Sequence, residues 1–117
     1  MTDSFLRKFN EEVNLFVDER DWSRFQTPKN LSMALIVEAA ELVEHFQWMQ
    51  SKESDSLSTD KKTQVAEELA DIFIYTVRLA DRLGIDLEQA ARGKLDKNRS
   101  KYPVDKARGH ATKYTEL

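Results

Sequence analysis

Two acidic pairs sit where a helical pattern calls for apolar side chains, and this conflict restricts the fold more than any other feature. The pattern itself is plain. Phe5, Leu6, Phe9, Val13, Phe16 and Val17 recur at spacings of three and four, which predicts a helix over about residues 3–19. Thr27 as cap and Pro28 at the first helical position open a second helix, expected to reach about Gln50 along the stripe Leu31, Leu35, Leu42, Phe46 and Met49. A third spans about 59–83, with Ser58 or Thr59 as cap and Gly84 as its left-handed stop. Its stripe is Val65, Leu69, Ile72, Phe73, Thr76, Leu79 and Leu83. The fourth starts at Asp86, with Gln89 as capping-box partner, and Pro103 closes it after the basic turn of Lys97, Arg99 and Lys101. Residues 20–26 and the serine-rich 51–58 read as loops, and 104–117 as a polar, basic tail. The expectation is an all-α, four-helix bundle in one domain over residues 1–117.

The acids fall on these stripes. The second helix carries Glu38-Ala39-Ala40-Glu41 and the third Glu68-Leu69-Ala70-Asp71. Residues three apart share a helix face, so each helix aims two carboxylates at one point. A Glu pair on a helix is more often a solvated face. Here, however, Glu38 follows Leu35 by three and precedes Leu42 by four, and Glu68 stands in the same way between Val65 and Ile72. Carboxylates turned towards a bundle interior are costly without a cation, and the neighbouring stripe positions supply too few Lys or Arg. A hard divalent ion fits: all-oxygen ligands without cysteine select Mg²⁺, or Mn²⁺ as substitute, over Zn²⁺. No Glu-x-x-His occurs, which sets aside a di-iron bundle; His45 reads as structural or surface.

Charge and composition narrow the partners. With 18 basic and 21 acidic residues the net charge is −3, which gives no support to binding a nucleic acid polymer. The absence of cysteine excludes disulfides and thiolate metal sites and suits a reducing cytoplasm. No apolar run approaches the roughly 20 residues that span a bilayer, so no membrane role is expected.

Other residues are open to two readings. Trp22 and Trp48 are the only tryptophans, and a tryptophan is more often a core residue; near an acidic site two of them also suit stacking on a base. Tyr75 follows Asp71 by four and shares its face. Lys94, Asn98 and Lys101 share a face at spacings of four and three. They are either a solvated helix end or a clamp for a triphosphate.

At these residues the chain resembles the MazG-like all-α nucleotide pyrophosphohydrolases, and within them the dCTP pyrophosphatases. Their Glu-x-x-Glu, spacer, Glu-x-x-Asp hallmark is matched by Glu38, Glu41, Glu68 and Asp71. Glu19-Arg20-Asp21-Trp22, Pro28-Lys29-Asn30-Leu31, Phe46-Gln47-Trp48, Ile74-Tyr75, Lys94 to Pro103 and Lys113-Tyr114-Thr115-Glu116-Leu117 extend the resemblance over nearly the whole chain. It implies a homodimer or homotetramer, and Mg²⁺-dependent hydrolysis of a deoxynucleoside triphosphate (dCTP or a related or modified one) to its monophosphate and pyrophosphate, cleaning the nucleotide pool. It also implies roles: Glu38, Glu41, Glu68 and Asp71 hold the metal, and Trp22, Trp48 and Tyr75 surround base and sugar. Lys94, Asn98 and Tyr102 contact the nucleotide. Glu41 or Glu38 is the expected proton acceptor from water. Gln26 departs from the pattern, since close relatives often carry His there; it is expected to hydrogen-bond the base edge with an altered preference. A dUTPase-like enzyme and a non-catalytic nucleotide- or protein-binding module are the alternatives.

Overall fold

The computed structural model describes residues 4–117, which are all-helical, with no strand among them. They divide into two compact units, one ending at Gly84 and one comprising Ile85–Leu117.

In the first unit α1 covers Phe5–Glu19. Ser4 caps it, its hydroxyl accepting from the Arg7 N–H at 3.2 Å; the expected start at residue 3 lies outside the described residues. At the other end the Arg20 guanidinium donates to the Phe16 carbonyl at 2.9 Å, satisfying one of the helix's orphan acceptors. Asp21 then adopts a left-handed conformation (φ 54), which a short polar side chain tolerates, and a single 3-10 turn, Ser23–Phe25, follows. Two local bonds open α2 (Pro28–Glu44): Thr27 Oγ1 accepts from the Asn30 N–H at 3.2 Å, and Asn30 Nδ2 donates to the Phe25 carbonyl at 2.9 Å.

α2 stops at Glu44, six residues before the expected Gln50. The His45 and Phe46 N–H groups bond back three residues, to Leu42 and Val43, so the ladder tightens and ends. Trp48 lies beyond it, 90% exposed. A helix gains most of its stability from burying a face, and of the apolar residues after Glu44 only Phe46 and Met49 are even half-buried. The expected loop at 51–58 contains a 3-10 turn, Ser51–Asp55. Ser58 caps α3 (Thr59–Arg82), and Gly84, at φ +66, is its left-handed stop.

α3 is the central element of this unit: α2 packs along it, and α1 packs on it as well. The buried apolar residues are Val13 and Val17 of α1, Leu31 of α2, and Val65, Val77 and Ala80 of α3. Phe9 adds a ring contact to Phe73 at 5.5 Å. Because α3 serves two neighbours, its buried arc departs from the predicted stripe. Leu69 and Leu83 are about half exposed (52% and 53%), while Arg78 is buried.

In the second unit Asp86 caps α4 (Leu87–Lys101), its carboxylate accepting from the Gln89 N–H at 3.1 Å. The expected tail is not featureless. Pro103 ends α4 and immediately precedes a one-turn helix, α5 (Val104–Ala107), so the described residues hold five α-helices where four were expected. A 3-10 turn, Tyr114–Glu116, carries Tyr114 against Tyr102, ring edge to face at 5.9 Å. No helix among the described residues is long and apolar enough to cross a membrane.

Candidate metal centre

α2 and α3 pack lengthwise, and Glu38 and Glu41 of α2 meet Glu68 of α3 at the seam. Glu38, Glu41 and Glu68, all half-buried, each offer a carboxylate oxygen, and these three oxygens lie within 4.8 Å of one another. The Oε2 atoms of Glu38 and Glu68 are buried with no hydrogen-bond partner. Buried acceptors are rarely left so, because the lost hydration is not replaced. Two unsatisfied anionic oxygens beside a third carboxylate have the donor chemistry of a hard cation site, and the residues present fit a divalent metal.

The electrostatics agree. The Glu38 carboxyl is pushed up to about 7, first by burial, then by the close approach of the Glu68 and Glu41 carboxylates, then by the charges of Glu41 and Asp71. The Tyr75 hydroxyl is raised too, by burial and then by the charges of Glu38 and Asp71. Tyr75 therefore feels the acids, as its position four residues after Asp71 suggests. Asp71 acts on both groups through its charge but is not one of the three residues whose oxygens converge.

The other predicted residues are spread more widely. Trp22 is 44% exposed, its indole edge-on to Phe16 at 5.7 Å. Both tryptophans are thus surface groups, which core packing would not produce. Gln26 is half-buried, and its carbonyl oxygen accepts from Arg78. Lys94, Asn98, Lys101 and Tyr102 belong to the second unit, where the Lys101 ammonium lies 4.8 Å from the Tyr114 ring centroid. His45 closes α2, with Lys61 Nζ 3.3 Å from its Nδ1.

Sequence reading missed Arg78. A signal was present: it is the lone basic residue within the apolar stretch Ile72–Ala80, and it follows Tyr75 by three and Asp71 by seven, on their face of the helix.

The MazG-like family model matches residues 33–117. The chain is 47% identical over 104 residues to dCTP pyrophosphatase 1 of Mus musculus, and 44% identical over 104 residues to that of Homo sapiens. Each alignment covers 87% of this chain and 61% of the relative. The chain thus spans less than two thirds of the length of these curated relatives. A crystal structure of a pyrophosphatase from Archaeoglobus fulgidus superposes with a TM-score of 0.81 at 36% identity, covering 88% of this chain and 96% of that one.

Proposed function

The chain belongs to the MazG-like family, and from that premise we propose that it is a Mg²⁺-dependent nucleoside triphosphate pyrophosphohydrolase acting on dCTP or a related deoxynucleotide. One observation carries the reading: three carboxylates from two helices converge, and two of them bury an oxygen that no donor satisfies. The activity named for the relatives at 44–47% identity points to the same class of reaction.

Glu38, Glu41 and Glu68 would hold the ion, with Asp71 adding negative charge from the same face of α3 as Tyr75. A divalent cation there supplies neutralisation of phosphate charge and makes a water molecule easier to deprotonate, and Mn²⁺ is a chemically reasonable substitute. Glu41 or Glu38 takes the proton of the attacking water. That water's oxygen bonds to the α-phosphorus, and the bond to the α–β bridging oxygen breaks, leaving the monophosphate and pyrophosphate. Such a reaction rests on positioning and charge and needs no Ser or Cys nucleophile. Trp22 and Trp48 present exposed indole faces for the base, and the Tyr75 hydroxyl offers a donor near the acids. Lys94, Asn98, Lys101 and Tyr102 are proposed nucleotide contacts on their chemistry as donors to phosphate and sugar oxygens.

The same reading includes assembly as a dimer or a dimer of dimers. Met33, Ile36, Val37 and Val43 are each more than half exposed and lie along one stripe of α2. An exposed apolar stripe on a helix is a surface for another helix, and a second copy is the proposed occupant. Ile36→Asp is expected to lower the solution mass measured by light scattering; an unchanged mass removes this surface from the interface.

The deciding experiment is pyrophosphate release from a panel of dNTPs and NTPs with Mg²⁺, beside Glu41→Gln. Turnover that needs the metal and collapses in the variant supports the enzyme and ranks its bases. A well-folded protein silent across the panel removes the proposal for these nucleotides.

A further inference from the structure

Arg78 is the one charged side chain that is buried among the described residues, at 5% exposure, and the metal-site chemistry does not use it. Its guanidinium donates from Nε to Gln26 Oε1 at 2.8 Å, from Nη1 to Asn14 Oδ1 at 2.7 Å and from Nη2 to Ser23 Oγ at 3.1 Å. Asp81 Oδ2 lies 3.6 Å from Nη1, and Asp81 Oδ1 accepts in turn from Asn10 Nδ2 at 2.9 Å. A buried guanidinium is tolerated when its donors are matched. Here two of the three hydrogen-bonded oxygens come from the short segment between α1 and α2. One cation therefore ties α1, α3 and that segment together.

The tie also decides which end of Gln26 is free. An amide has an oxygen that accepts and an NH₂ that donates. Facing a guanidinium N–H it must present the oxygen, because the flipped amide would set donor against donor. Gln26 Nε2 has no partner among the described residues. Asp71, Tyr75 and Arg78 share one face of α3, and the seven-residue step from Asp71 to Arg78 is about 10 Å of helix. That is the scale separating a nucleotide's phosphates from its base.

We propose that Arg78 is a positioning residue for base recognition: it holds Ser23 and Gln26, steadies the adjoining Trp22, and leaves the Gln26 NH₂ as the group offered to the base. This rests on the nucleotide reading above and deepens it. A free glutamine uses both ends on a base edge. The pinned one donates only, so it favours a carbonyl oxygen or an unprotonated ring nitrogen and gives nothing to an exocyclic amino group.

Gln26→Glu tests the polarity without breaking the clamp, since it keeps an oxygen for Arg78 and replaces the NH₂ by a second oxygen. Steady-state kinetics over the dNTP panel should show KM for the preferred substrate raised about tenfold, the worth of one hydrogen bond. The loss should fall in KM rather than kcat, with melting no lower than wild type. Arg78→Lys keeps the charge but not the fork. It should raise KM for every base and flatten the differences between bases. If that variant fails to fold, Gln26→Glu still decides. Unchanged KM and base ranking in Gln26→Glu overturn the inference and leave the proposed activity standing. A wild-type protein that neither hydrolyses any dNTP nor binds any non-hydrolysable analogue, read by tryptophan fluorescence, removes both.

Discussion

Glu38 of α2 and Glu68 of α3 bring carboxylate oxygens within 4.8 Å of each other, and each keeps its Oε2 buried without a hydrogen-bond donor. Two like charges so placed oppose the folded state unless a proton or a cation lies between them. Stability, pH and metal are therefore coupled at this seam.

The sign of the pH dependence follows from Glu38. Its carboxyl titrates near 7 in the folded chain against 4.5 ordinarily. Between those values the folded state keeps a proton that the unfolded chain has lost, so stability falls as pH rises through this window. Metal-free protein should melt higher at pH 5.5 than at pH 8. Added Mg²⁺ should raise the melting temperature more at pH 8, where it no longer competes with the proton. A Mg²⁺ response equal at both pH values would contradict the cluster as the binding site.

Neutralising one partner should trade function for stability. Glu68→Gln removes a facing charge while keeping the shape. At pH 8 without metal it is expected to stabilise the protein by about 1 kcal/mol, a few degrees in melting temperature. The same variant should lose the Mg²⁺-induced rise. A destabilised variant that still responds to Mg²⁺ would place the ion elsewhere.

Leu31 is the only fully buried large side chain among the described residues, at 1% exposure. With so few buried neighbours to share the load, Leu31→Ala should cost about 2–5 kcal/mol. Chemical denaturation reads this directly, and a loss under 1 kcal/mol would show that the site collapses around the gap.

Trp48 offers the opposite contrast. At 90% exposure it contributes little to folding, so Trp48→Ala should leave stability within about 0.5 kcal/mol. If it stacks on the base, KM should rise roughly 5- to 150-fold, the equivalent of about 1–3 kcal/mol. Normal KM with normal stability would leave Trp48 without a role at the site.

Much of this protein was legible in local sequence. Thr27, Ser58 and Asp86 each cap a helix by accepting from a backbone N–H three residues on, and Gly84 stops α3 because it takes a left-handed turn at no steric cost. The two acid pairs were equally visible, since residues three apart must share a face. These are interactions within one turn of chain, and the residues themselves specify them. The early end of α2 at Glu44 was not legible, because apolar Phe46, Trp48 and Met49 continue the helical pattern and only tertiary contact shows that Trp48 has nothing to bury against. Nor was the convergence of the acids: Glu38, Glu41 and Glu68 bring their oxygens together only where two helices meet. Arg78 marks the boundary most clearly. Its partners Gln26, Ser23 and Asn14 lie 52, 55 and 64 residues away in sequence. The chain alone shows a basic residue in an apolar run; packing α1 and the Ser23–Gln26 segment against α3 brings three oxygens to its guanidinium and makes burial of the charge tolerable.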